Sequence, residues 1–209
     1  MTKPNIVLIG AGGHSHACID VIEQQAKFNI AGLVGLECEL GQQHFGYEVI
    51  GEDQNLPNLA QKYQYAIVTL GHLQSSDNRK HMYDLIKRLG FEVPFIISPR
   101  AHVSRHATLG EGTIIMHDVI VNAGAAVGVN CIINSKALVE HDVVVSNHCH
   151  ISTGVILNGG VTIGSGTFVG SGSVVKQGLV VGNNSVVGMG LSVRHNLAEE
   201  TFFTGQYKK

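Results

Sequence analysis

Three consecutive residues, Glu140-His141-Asp142, set an imidazole between two carboxylates. Such a ring is suited to taking a proton from an amine or a hydroxyl near neutral pH, and an acid bonded to its distal nitrogen would raise its basicity. Base catalysis of this kind contributes about 10²- to 10⁴-fold. His148 and His150 form a weak metal-like pair, but no third ligand stands near them in sequence, so no metal is expected. The chain has 12 histidines, and most of them, including His102, His106 and His117, read as solvated turn residues.

A second feature with chemical meaning lies near the start. The apolar run Asn5–Ile9 leads straight into Gly10-Ala11-Gly12-Gly13-His14-Ser15, and Ala17, Ile19, Val21 and Ile22 then read as a helix. In a strand, glycine loop and helix arrangement, the glycines let the backbone approach a phosphate at the helix N-terminus. The dinucleotide fingerprint is incomplete. Ser15 stands where the third glycine belongs, and the second strand, about 30–34, runs into Gly35 rather than a ribose-binding acid, with Glu37 the nearest acid. The loop is therefore read as a phosphate or nucleotide site rather than an NAD site.

These residues need elements to hold them. Residues 65–70 read as a buried strand ending at Gly71-His72, 79–88 as an amphipathic helix, and 91–97 as one more strand. Alternating strands and helices predict a small, mostly parallel sheet with a crevice near Gly10, Gly35 and Gly71. Beyond it an aliphatic residue returns at every sixth position from Ile97, Val103, Leu109 and Ile115 through to Val193. At the third position after each aliphatic stand residues tolerant of positive φ, among them Gly112, Asp118, Asn130, Asp142, Gly154 and Asn184. A helix cannot use a period of six, and its glycines and β-branched residues oppose one. A short strand and a tight turn per hexapeptide can, stacked so that the aliphatics form an inner column.

The repeat resembles the hexapeptide-repeat acyltransferases, whose left-handed parallel β-helix takes three hexapeptides, or 18 residues, per coil. GAGGHS at residues 10–15 and NSKALVEHDVVVSNHCHISTG at 134–154 narrow the resemblance. They are similar to the two-domain branch containing the sialic acid O-acetyltransferases and the nucleotide-linked amino-sugar N-acetyltransferases. The fold this implies is an α/β Rossmann-like domain over 1–96 that binds the sugar or nucleotide-sugar, followed over 97–209 by a left-handed β-helix with a C-terminal tail. The resemblance makes His141 the general base and Asp142 its orienting partner. It brings His150 to the thioester of acetyl-coenzyme A, with its oxyanion, and Asn134 near the sugar, and it sets Ser171 and Met189 along the coenzyme's pantetheine or adenine. Gly10, Gly12, Gly13, His14, Ser15 and Gly71 form the expected substrate crevice.

Two departures from the family pattern stand out. Val34-Gly35-Leu36 occupies the place of acids that hold uridine, and the ending from Thr201 to Tyr207 replaces a glycine-x-proline-alanine terminus. His141 and His150 are nine residues apart, half of an 18-residue coil, so they project from different sides of one prism. A homotrimer would set His141 of one subunit opposite His150 of the next, with coenzyme A between them.

Composition bounds the alternatives. With 209 residues, 44% hydrophobic, there is ample chain for a buried core, and 26 glycines against 4 prolines fit a chain that turns often. A net charge of -2 and the absence of basic runs argue against nucleic-acid or membrane-surface partners. Four cysteines without a CxxC pair, no signal-like start and no apolar run of about 18 residues predict a cytoplasmic protein with reduced thiols. The expected activity is acetyl-coenzyme A-dependent N-acetylation of a nucleotide-linked amino-deoxysugar in surface-glycan synthesis. The alternatives are O-acetylation of a sialic or related nonulosonic acid, and a non-catalytic nucleotide-sugar-binding β-helix.

Overall fold

The computed structural model describes residues 3–205. In chain order the first part runs β1 (Asn5–Ile9), α1 (Gly13–Gln25), β2 (Asn29–Val34), a hairpin of β3 (Gln43–His44) and β4 (Tyr47–Gly51), α2 (Leu56–Lys62), β5 (Tyr65–Val68) and α3 (Asp77–Arg88). The sheet order is β3-β4-β2-β1-β5, parallel except for the hairpin. Strand β1 lies between β2 and β5, and its residues Ile6 to Ile9 are fully buried, as a strand covered on both faces requires.

Three features depart from expectation. The β3–β4 hairpin turns on Phe45 (φ 51°) and Gly46 (φ 88°), a left-handed pair that suits strand twist but lacks the usual Asn-Gly or Asp-Gly signal. The hairpin and α2 therefore escape a reading by pattern. Residues 91–97 do not form one strand: Glu92 makes a single bridge to Tyr65, and only Ile96–Ile97 pairs further on, with Ile114–Ile115. Pro94 lacks an N–H and biases Val93 away from the helical region, so the chain bends there and changes sheets.

From Ile96 the chain forms a left-handed parallel β-helix of two-residue strands. Each strand pairs with the one 18 residues on, as in Ile115 to Ile133, Ile133 to Ile151 and Ile151 to Val169. Three sheets of six, five and seven strands result. The second residue of each pair points inward, and those from Ile115 to Val193 are at most 3% exposed. The coil corners take positive φ at the expected positions, and also at Lys136 and His148, where no glycine or asparagine marks the turn. At such sites the surrounding coils impose a conformation that the residue alone disfavours.

The α/β part packs on one sheet of the prism. Outward residues Ile114 and Ile132 of that sheet are 0% exposed, whereas Ile120 and Val144 on the other two sheets are each 42% exposed. Buried Arg79 of α3 pins the two parts together, donating through Nη1 to the carbonyls of Val68 and Leu70 (both 2.7 Å) and through Nε to that of Asn130 (3.2 Å). A second tie corrects the reading of His117 as a solvated turn residue: it bonds Asp20 of α1 (2.7 Å) and Ser98 Oγ (2.7 Å).

Candidate active site

Two cavities adjoin where the α/β part touches the prism, and a third lies further along the prism. A crevice of about 280 Å³ at the carboxyl ends of β1 and β2 is lined by Gly10, Gly12, Gly35, Glu39, Asp53 and Leu70, among others. Gly12 and Leu70 are shared with a cleft of about 780 Å³ that also holds Gly13, His14, Gly71, Asn134, His150 and Ser152. Ser152 Oγ in turn lies 2.8 Å from Ser171 Oγ, and Ser171 opens a groove of about 660 Å³ with Met189 and Thr204. Most of the sequence-predicted substrate and coenzyme residues thus line these three cavities. Ser15 is the exception. Its buried hydroxyl donates to the Gly12 carbonyl at 2.6 Å and closes the loop before α1, so it shapes the crevice without facing it.

The glycine loop has a steric reason. A side chain at Gly10 (φ 120°) would meet Leu70 at 2.6 Å, and Gly12 and Gly13 leave open space in front of the first amides of α1, where an anion is favoured. The bare strand end at Gly35 does acquire acids. The 3₁₀ turn Glu37–Glu39 brings Glu39, not Glu37, to the crevice with its carboxylate accepting from the Leu36 amide at 2.7 Å, and Asp53 arrives from beyond β4. Neither was legible, because both depend on the unanticipated hairpin and turn.

His150 occupies an outward position of the covered sheet and is 6% exposed. Its Nδ1 lies 2.8 Å from the His72 carbonyl, which can only accept, so Nδ1 carries the proton. Nε2 is left as an acceptor facing Asn134 Nδ2 at 3.4 Å. Burial is the main cause that pushes this ring down to about 4, with the Arg79 charge acting in the same direction. In this tautomer Nε2 accepts, and the amide donor beside it is Asn134. Among the described residues no group of three His, Cys, Asp or Glu side chains is placed to hold a metal.

His141 is in the opposite situation. It stands at an exposed corner in a separate cavity of about 530 Å³ with Glu140, Asn158, Gly159 and Gln177, apart from His150 of the same chain. Asp142 adopts φ 58°, which returns its carboxylate to accept from His141 Nδ1 at 2.9 Å. That hydrogen bond is the main cause raising His141 above its ordinary pKa, and Nε2 is left free. Glu140 accepts from Asn122 and from the His141 amide and does not hold the ring. The ring lies over Gly159 in the next coil, where a Cβ would come within 2.6 Å of Nε2.

At the carboxyl end, Phe202–Phe203 pairs with Val186–Val187 and carries Thr204 and Gly205 into the groove, while Gln206 and Tyr207 lie outside the described residues.

The PglD N-terminal domain family matches residues 5–102. A search of curated proteins gives no match. Among solved structures, a histidine-to-asparagine mutant of perosamine N-acetyltransferase from Caulobacter crescentus, in complex with CoA and GDP-perosamine, is 29% identical. It superposes with a TM-score of 0.91 over 98% of this chain and 95% of that one. PerB from Caulobacter crescentus, with the same two ligands, is 30% identical with a TM-score of 0.88 over 95% and 93% of the respective chains. The acetyltransferase domain of PglB from Neisseria gonorrhoeae, in complex with acetyl coenzyme A, is 27% identical with a TM-score of 0.86 over 94% of each. With its repeat, its glycine loop and its paired cavities, the chain belongs to the two-domain hexapeptide-repeat acetyltransferases of the nucleotide-linked amino-sugar N-acetyltransferase and sialic acid O-acetyltransferase family.

Proposed function

We propose that the protein transfers acetyl from acetyl-coenzyme A to the amino group of a nucleotide-linked amino-deoxysugar in surface-glycan synthesis. The observation that carries this reading is the cleft at Asn134, His150 and Ser152, which borders a crevice at a helix N-terminus on one side and, through the Ser152–Ser171 hydrogen bond, a groove lined by Ser171 and Met189 on the other. The crevice, within residues 1–96, would hold the nucleotide and its phosphates. The groove, within 97–209, would hold the coenzyme with its thioester beside Asn134 and His150. The ligands of the similar structures, CoA with GDP-perosamine, suit that division. The carboxylates of Glu39 and Asp53 favour a nucleotide-sugar over a free nonulosonic acid, which needs no such pocket.

The base would come from a neighbouring subunit of a homotrimer, since His141 and His150 of one chain open on different cavities. His141 Nε2 takes the proton as the amine attacks the thioester carbon, and Asp142 bears the imidazolium that forms. Asn134 donates to the oxyanion; when the tetrahedral intermediate collapses, the C–S bond breaks and the thiolate leaves with the proton from His141. No described helix is long and apolar enough to cross a membrane. Four free cysteines suit the reducing cytoplasm in which acetyl-coenzyme A is available.

The test is release of free thiol from acetyl-coenzyme A in the presence of GDP-, UDP- and dTDP-linked 4-amino-4,6-dideoxyhexoses, with the product's mass read in parallel. Acetylation of the amino group of at least one is expected. Thiol release only with free sialic acid, or with no acceptor in either class, would contradict the proposal.

A further inference from the structure

The ring of His72 has no role in the chemistry above. It lies between β5 and α3, is 7% exposed and lines the junction cleft, yet neither Nδ1 nor Nε2 has a hydrogen-bond partner. Buried polar groups are almost always paired, so an orphan of this kind calls for a ligand. The backbone of the same residue has a separate task, since its carbonyl accepts from His150 Nδ1. The ring is held edge-on against His150 (centroids 5.5 Å apart) and Phe168 (6.4 Å), so its direction is set before any ligand arrives.

The chemistry of the ring narrows the ligand. Burial above all, followed by the neighbouring His150 and Arg79, pushes it down to about 3, and it stays neutral at any ordinary pH. A neutral imidazole presents one N–H and one lone pair. That set complements a hydroxyl, which accepts and donates; a phosphate oxygen only accepts and would leave the lone pair unmatched. Position agrees with chemistry. His72 stands in the cleft between Gly12 and Leu70, which border the nucleotide crevice, and Ser152, which borders the coenzyme groove. The segment of an acceptor that falls between its phosphates and its reacting amine is the sugar ring.

We propose that His72 is a specificity-determining residue that binds a ring hydroxyl of the acceptor sugar, so that the protein selects for that hydroxyl. This rests on the reading of the cleft as the acceptor site. The test uses His72→Phe, which keeps the ring shape, the edge contacts and the carbonyl to His150 while removing both nitrogens, and His72→Asn, which restores a donor and an acceptor on a shorter side chain. Each is assayed with the acceptor that the unaltered protein acetylates and with analogues in which one ring hydroxyl is replaced by hydrogen.

For His72→Phe, KM for the acceptor is expected to rise about tenfold, with a smaller effect on kcat and none on KM for acetyl-coenzyme A. His72→Asn should recover part of the loss. The unaltered protein should lose about tenfold on one deoxy analogue, and His72→Phe should not distinguish that analogue from the parent sugar. If acceptor KM is unchanged in a folded His72→Phe, or if the variant discriminates the analogues as the unaltered protein does, His72 does not bind the sugar, although the acetyl-transfer reading stands. If the unaltered protein acetylates no acceptor, both fall.

Discussion

His141 and His150 belong to the same prism and present the same tautomer, with the proton on Nδ1 and the lone pair on Nε2. Their basicities are driven apart. At the open corner a carboxylate partner raises His141, whereas in the covered cleft burial lowers His150 to about 4. The difference lies in the partner and the surroundings rather than in the residue type. A carboxylate stabilises the imidazolium, and a carbonyl within an apolar, positively biased cleft does not. One ring is thus prepared to accept a proton at working pH and the other to remain neutral in the junction cleft. The prism keeps them apart, because nine residues along it is half a coil.

The most severe way to break this contrast is to remove the base. His141→Ala should lower kcat by about 10²- to 10⁴-fold in the thiol-release assay while leaving acetyl-coenzyme A binding and the melting temperature unchanged, since the ring is exposed and carries no core contact. Removing the partner should do less. Asp142→Asn keeps a residue that tolerates φ near 58° but withdraws the charge, so kcat should fall by about ten- to a hundredfold. Asp142 raises His141, so its loss should also move the ascending limb of the pH–kcat profile to lower pH. A limb that stays in place would mean that another group sets it.

A smaller effect is expected from displacing the ring without altering its chemistry. Gly159→Ala introduces a Cβ 2.6 Å from both Nε2 and Cε1 of His141, and the exposed ring would have to swing aside. A kcat reduced by about tenfold in a protein that melts normally is the expected result. The smallest effect sharpens the other side of the contrast. His14 and His72 at about 3 and His150 at about 4 lie below the ordinary value of 6.5. In that window the unfolded chain binds protons that the native chain does not. The stability contributed is therefore present above pH 6.5 and lost as pH falls toward 4, by up to about 1.4 kcal/mol per pH unit for each group. Melting temperature measured from pH 7 to pH 4 should fall, by up to about ten degrees per unit, and less steeply in His150→Phe.

How much of this was legible in the sequence depended on whether a signal was periodic or local. The column from Ile97 to Val193 declared the coils because each inward position needs an aliphatic in every turn, and pairing at 18 residues follows from that period. Gly10 was legible because the backbone must pass close to Leu70. The pairing of Asp142 with His141 was readable as adjacency. Glu39, Asp53 and the ring of His72 were not, because each reaches its cavity through an irregular turn or loop whose path no spacing encodes. The tautomer of His150 was hidden for a similar reason: it is set by a carbonyl 78 residues away in the chain.

The central claim is that the two histidines serve one reaction from different subunits. The most direct measurement mixes His141→Ala protein with protein carrying both Asn134→Ala and His150→Ala, each expected to be inactive alone, under conditions that exchange subunits. In a randomly mixed trimer about a quarter of the interfaces would pair an intact His141 with an intact His150, so activity should return to about a quarter of that of the unaltered protein. If subunits exchange and no activity returns, the two residues do not meet across an interface and the account is wrong.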